Sequence, residues 1–100
     1  GFKVVGVLPD EMGIGPAAAI PALLEDTKLA IGDIDIYEIN EAFASQATYC
    51  VKKLGIPMSK VNPLGGAIAL GHPLGMTGAR QVATLLHELR RTKKKTGIVS

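Results

Sequence analysis

Hydrophobic and polar positions follow two rhythms along this chain, and each change of rhythm marks an element. Phe2 to Leu8, "FKVVGVL", is short and rich in β-branched residues, which predicts a strand. The loop "PDEMGIGP" follows. Pro16 and Pro21 then bracket the start of an alanine-rich helix running to about Ala30, with its regular part beginning near Ala17 to Ile20, because proline is tolerated in a first turn. Gly32 is expected to mark its end. In "DIDIYEIN" the apolar residues Ile34, Ile36, Tyr37 and Ile39 are almost continuous, as in a strand covered by helices.

Helical spacing returns at Ala42 to Leu54, where Phe43, Ala47, Cys50, Val51 and Leu54 share a face and Gly55 ends the run. Thr77 to about Thr92 carries the clearest helical pattern. Val82, Leu85, Leu86 and Leu89 form an apolar stripe, with Arg80, Thr84, His87 and Arg91 on a polar one. A last strand begins at "GIVS". The order β-α-β-α-loop-α-β predicts a layered α/β half-domain with helices against a sheet.

Between the last two helical patterns lies "LGGAIALGHPLGMTGAR", Leu64 to Arg80. Pro73 disfavours helical dihedrals at His72 and leaves the imidazole on a constrained loop ahead of a helix start. The positive end of that helix disfavours imidazolium, which suits a proton acceptor or a neutral hydrogen-bond donor. Gly65, Gly66, Gly71, Gly75 and Gly78 allow close backbone approach to a ligand, or else a tightly packed turn in which His72 bonds a carbonyl. Neither GxGxxG after a strand nor GxxxxGK[ST] is present, so a phosphate cradle is disfavoured. Asn40 stands at the carboxyl end of a buried strand, where α/β folds bind ligands, yet asparagine one residue before a helix also reads as an N-cap. Cys50 falls on an apolar stripe and is expected to be an inert core thiol, and His87 to be solvated. Met12 either lines an apolar pocket or is incidental to its loop.

Composition narrows the classes. Of the 100 residues, 47% are hydrophobic and 20% charged, which fits a folded domain with a core. The basic run "RRTKKK" follows a helix and has no interleaved aromatics, so a solvated helix end is favoured over a nucleic-acid patch. One cysteine excludes an internal disulfide and disfavours a zinc site. No apolar run reaches the ~20 residues that span a bilayer. The ends, "GFKVVGVL" without a methionine and "TGIVS" at the start of a strand, are read as severed, so the chain is expected to be a piece of a larger protein.

Taken together, "MGIGP" at Met12 to Pro16, "NEAF" at Asn40 to Phe43, "NPLGGAIALGHPLG" at Asn62 to Gly75 and "TGAR" at Thr77 to Arg80 resemble the C-terminal half of a thiolase. The likeness is greatest to the degradative 3-ketoacyl-CoA thiolases of peroxisomes, and it covers nearly the whole chain. It implies the layered thiolase fold, with residues 1–100 forming a partial C-terminal domain that lacks the N-terminal half and the final CxG segment. It implies acyl transfer to coenzyme A, which acts as a substrate, with no permanently bound cofactor or metal and no nucleic-acid partner. His72 would take the proton of a cysteine nucleophile and bond a thioester oxygen; Asn40, besides capping, would hold a water beside it; Met12 and Gly71 would lie against substrate.

The family's two catalytic cysteines belong to the missing parts, and Cys50 matches neither, so the chain alone is expected to be inactive. A homodimer or homotetramer of the whole protein and a peroxisomal location follow from the same likeness, with a mitochondrial location as the alternative. A biosynthetic acetoacetyl-CoA thiolase and a non-catalytic acyl-CoA-binding or lipid-binding module are the rival readings. Met76 departs from the small residue or cysteine usual after "GHPLG".

Overall fold

A computed structural model describes residues 1–100. Helix α1 spans Gly15–Thr27, strand β1 Ile36–Glu38, helix α2 Ala44–Leu54, the single turn α3 Ala67–Leu70, helix α4 Thr77–Thr92 and strand β2 Gly97–Val99. The two strands are parallel, pairing Ile36 with Gly97, Tyr37 with Ile98 and Glu38 with Val99. Val61 adds an isolated parallel bridge to Tyr37. The α/β arrangement expected from the sequence is therefore present, with β1 as its innermost strand: Ile36, Tyr37 and Glu38 are all buried. No helix is long and apolar enough to cross a membrane.

Strand alternation sends successive side chains of β1 to opposite faces. Tyr37 and Ile39 join Ile20 and Leu24 of α1, Val51 of α2, and Ile34, Ile56 and Ile98 in one apolar cluster. Glu38 turns the other way, to Arg80 of α4. Helix α4 lies close on the sheet because Gly97 has no side chain: a Cβ there would fall 2.5 Å from a Leu85 methyl.

Four expectations need correction. Phe2 to Leu8 forms no strand; Phe2, Val4 and Leu8 are exposed, and a cleft separates Phe2 and Lys3 from Ile98 to Ser100. A strand exists only by pairing with a neighbour, and this segment has none here. Helix α1 stops at Thr27, before Gly32, because Lys28 adopts a left-handed conformation (φ 59°) whose N–H bonds back to the helix, while Gly32 sits in a separate 3₁₀ turn. Pro21 does not mark the start of α1 but lies inside it, in the second turn, where it supplies no N–H to the helix ladder.

The stripe on α4 is also reassigned. Thr77, Gln81, Leu85 and Glu88 are buried, whereas Val82 and Leu86 are exposed. Polar contacts to the strand ends, described below, rotate the helix so that only Leu85 of the apolar stripe is buried on the sheet. Arg80, expected on the solvent side, is consequently turned inward. Last, α2 begins at Ala44 with Phe43 at its N-cap, so Asn40 is not its cap. Ala42 and Phe43 form a bend ahead of the helix, and the Phe43 N–H donates to Gln46 Oε1.

Candidate active site

Sheet pairing continues for two residues beyond β1: Ser100 N–H donates to Glu38 O, and Asn40 N–H donates to Ser100 O at 2.7 Å. Asn40 is thereby fixed at the carboxyl end of the strand. His72 arrives from the glycine loop. Gly71 makes that possible with φ 91°, ψ 163°, a region closed to other residues, so the chain reverses after α3 and Pro73 carries it on to α4. The result is a direct contact between two groups distant in sequence, Asn40 Nδ2 to His72 Nε2 at 3.3 Å. The other ring nitrogen, Nδ1, lies 2.5 Å from Thr77 Oγ1. Asn40 Oδ1 is buried with no partner.

Residues that the sequence reading passed over build the frame. Asn62 holds a left-handed φ of 44°, accepts a bond from Ile39 N–H and donates to Ile39 O and to Glu41 Oε1, each at 2.9 Å. Glu41 Oε2 accepts the Ile68 N–H at 3.0 Å. The Glu41 carboxylate thus fills the space above Gly66, where any Cβ would overlap it, and ties the glycine loop to the strand end. The signal was present in "NEAF" and "NP": a carboxylate and an amide beside Asn40 and the glycines, both without a role in the one-dimensional pattern.

On the α4 side, Arg80 Nη1 donates to Glu38 Oε2 at 2.9 Å with the Glu38 side chain fully enclosed. Burial pushes the Glu38 carboxyl up from its ordinary value, and the Arg80 charge and hydrogen bond offset part of that. Gln81 Nε2 bonds both Glu38 O and Ser100 O, closing the ends of β1 and β2 together.

The remaining candidates separate. Met12, 60% exposed, lines a shallow cleft of about 390 Å³ with Phe43, Ser45, Gln46 and Tyr49, and neither His72 nor Gly71 borders that cleft. Cys50 is buried, its Sγ 3.5 Å from Gly13 O, and burial pushes its thiol up, as expected for an unreactive cysteine. His87 is exposed, as expected. Met76 is half-buried immediately ahead of Thr77. The largest cavity, about 590 Å³ along α2, borders Glu41 and Asn62 but not Asn40 or His72. No cluster of three or more His, Cys, Asp or Glu side chains is placed to hold a metal ion.

An imidazole beside a carboxamide, at the carboxyl end of a parallel sheet and framed by a glycine loop, defines an α/β domain with a polar site where such folds bind their ligands. The chain belongs to the thiolase family: residues 1–100 match the thiolase C-terminal domain. It is 72% identical to mouse (Mus musculus) peroxisomal 3-ketoacyl-CoA thiolase B, over 99% of this chain and 24% of that one, so it spans about a quarter of that relative's length.

Among solved structures, the peroxisomal 3-ketoacyl-CoA thiolase of Saccharomyces cerevisiae superposes with a TM-score of 0.93 at 66% identity, over 99% of this chain and 28% of that one. It is described as a five-layered α-β-α-β-α structure of two core domains of identical topology, and this chain shares its fold. A second structure of the yeast enzyme, with a TM-score of 0.91 at 66% identity over 97% of this chain and 24% of that one, is described as dimeric. Human mitochondrial 3-ketoacyl-CoA thiolase in complex with CoA gives a TM-score of 0.92 at 47% identity over 95% of this chain and 24% of that one.

Proposed function

We propose that the chain is the part of a 3-ketoacyl-CoA thiolase that supplies the proton acceptor and one side of the oxyanion hole. The reaction is thiolytic cleavage of a 3-ketoacyl-CoA by coenzyme A, giving acetyl-CoA and an acyl-CoA two carbons shorter, as in peroxisomal β-oxidation. His72 takes the proton of a cysteine nucleophile supplied outside residues 1–100 and bonds the thioester oxygen. Asn40 holds the water that completes the oxyanion hole, a place for which its unpartnered Oδ1 is suited. Gly71 lets the loop approach the acyl group, and Met12 lies beside it. Coenzyme A is a substrate. No resident cofactor or metal takes part, and the whole protein is a homodimer or homotetramer in the peroxisome. The single observation that carries this reading is the 3.3 Å contact between Asn40 and His72 across 32 residues of sequence.

The test is a hybrid enzyme in which residues 1–100 replace the matching segment of the yeast thiolase. Thiolysis of acetoacetyl-CoA is expected to be retained, to fall ~100- to 10,000-fold with His72→Ala, and to fall ~100- to 1000-fold with Asn40→Ala. A hybrid that folds and binds CoA yet turns over no substrate sinks the proposal. The 100-residue chain by itself is expected to show no CoA-dependent cleavage, since its one thiol is the buried Cys50.

A further inference from the structure

We propose that Thr77 is a positioning residue for His72: its hydroxyl accepts the Nδ1 proton of the imidazole and so presents an unprotonated Nε2 towards Asn40. This builds on the reading of His72 as a proton acceptor and adds the group that decides which ring nitrogen does the accepting.

With the Asn40 amide turned so that Nδ2 faces the ring, the donor and acceptor inventory assigns a direction to both bonds. An amide nitrogen only donates, so His72 Nε2, 3.3 Å from Asn40 Nδ2, is an acceptor and carries no proton. A neutral imidazole then holds its one proton on Nδ1, and the atom facing Nδ1 at 2.5 Å is Thr77 Oγ1.

Rigidity differs across this bond. His72 is exposed on a loop between Gly71 and Pro73, whereas Thr77 is 7% exposed and is the first residue of α4. That first turn is fastened to the strand ends by Arg80 Nη1 on Glu38 Oε2 (2.9 Å) and by Gln81 Nε2 on Glu38 O (3.0 Å) and Ser100 O (3.2 Å). The hydroxyl is thus held by the same pair of strands that holds Asn40, and the imidazole is gripped on both edges by one frame.

Chemistry favours a hydroxyl here over a carboxylate. Protonation of Nε2 gives up the bond from Asn40 Nδ2 but leaves the bond from Nδ1–H to Thr77 Oγ1 in place, so the ring keeps that anchor as Nε2 takes up and returns a proton. A carboxylate in this place would also orient the ring, but its charge would favour imidazolium. Threonine orients without that bias.

The experiment uses the 100-residue chain labelled with ¹⁵N-histidine, in which His72 gives one pair of ring-nitrogen signals and the exposed His87 gives the reference pair. Neutral His72 is expected to be protonated on Nδ1 and bare on Nε2. Thr77→Val is expected to move both His72 signals and mix the tautomers, Thr77→Ser to restore them, and His87 to stay unchanged throughout. A proton found on Nε2 in the unaltered chain, or His72 signals indifferent to Thr77→Val, overturns the proposal. If Thr77→Val does not fold, the tautomer of the unaltered chain decides alone.

In the yeast hybrid, Thr77→Val is expected to lower kcat roughly 3- to 10-fold at constant KM, with Thr77→Ser recovering most of the loss. A hybrid that is inactive while the ring signals behave as expected removes the thiolase reading and leaves the positioning role standing. An active hybrid indifferent to Thr77→Val removes the positioning role alone.

Discussion

The two faces of the short sheet are built on different principles. Towards α1 and α2 the face is dry: Tyr37, Ile39 and Ile98 pack with Ile20, Leu24 and Val51, and the Tyr37 hydroxyl is satisfied by Ile31 O at 2.9 Å. Towards α4 it is mixed: Ile36 and Leu85 are buried there, but Glu38, Arg80 and Gln81 add directed polar contacts. Apolar packing gives stability but tolerates small shifts, because it has no preferred direction. Hydrogen bonds and ion pairs add little net stability, yet they fix one element against another within tenths of an ångström. The face that carries Thr77, and through it His72, is the one that uses them.

The comparison can be broken most severely at Arg80. Arg80→Met leaves the Glu38 carboxylate enclosed without its partner and is expected to cost roughly 3–5 kcal/mol in urea unfolding at neutral pH. Adding Glu38→Leu should recover most of that loss without recovering the His72 ring signals of the unaltered chain. If the double variant is as unstable as the single one, the pair is not what holds this face.

On the dry face, Ile20→Ala is expected to cost roughly 2–5 kcal/mol by leaving a cavity. The same His72 signals should then be unmoved wherever the chain remains folded. A shift as large as that from Arg80→Met would erase the distinction between the faces.

Smaller effects sharpen it. Lys28 ends α1 in a left-handed conformation that glycine adopts freely, so Lys28→Gly should stabilise the chain by about 1 kcal/mol, measured by thermal unfolding. Smallest is a pH effect at the far end of β1. Asp35 accepts the Lys95 and Thr96 N–H groups, and these bonds hold its carboxyl below its ordinary value. A depressed folded pKa means that the contribution is fully present above the unfolded value of about 3.9 and is lost as pH falls from there through the lower folded value. Asp35→Asn should remove that part of the acid sensitivity, and unfolding curves from pH 5 to 2 that coincide in shape for the two chains would show that it is absent.

Much of this was legible in one dimension, and the misses share a cause. Periodicity located α2, α4 and β1, and "NEAF" with "GHP" pointed to Asn40 and His72, because a helical face and a glycine–histidine–proline loop are local properties. Cys50 was recognised as inert from its stripe alone. The N-terminal strand was not realised, since β-propensity does not specify a partner. The N-cap at Asn40 failed because Glu41 is committed to Asn62 and Ile68, residues more than twenty positions away.

By itself, then, the sequence determined where the chain turns, which segments are helical and which residue types carry the chemistry, all matters decided within a few residues of backbone. The tertiary structure alone decided which face of α4 is buried, that Glu41 and Asn62 frame the glycine loop, and that the imidazole of His72 lies between an amide 32 residues before it and a hydroxyl five after it. Those are relations between elements, and a hydrogen bond forms only when folding brings donor and acceptor within about 3 Å of each other.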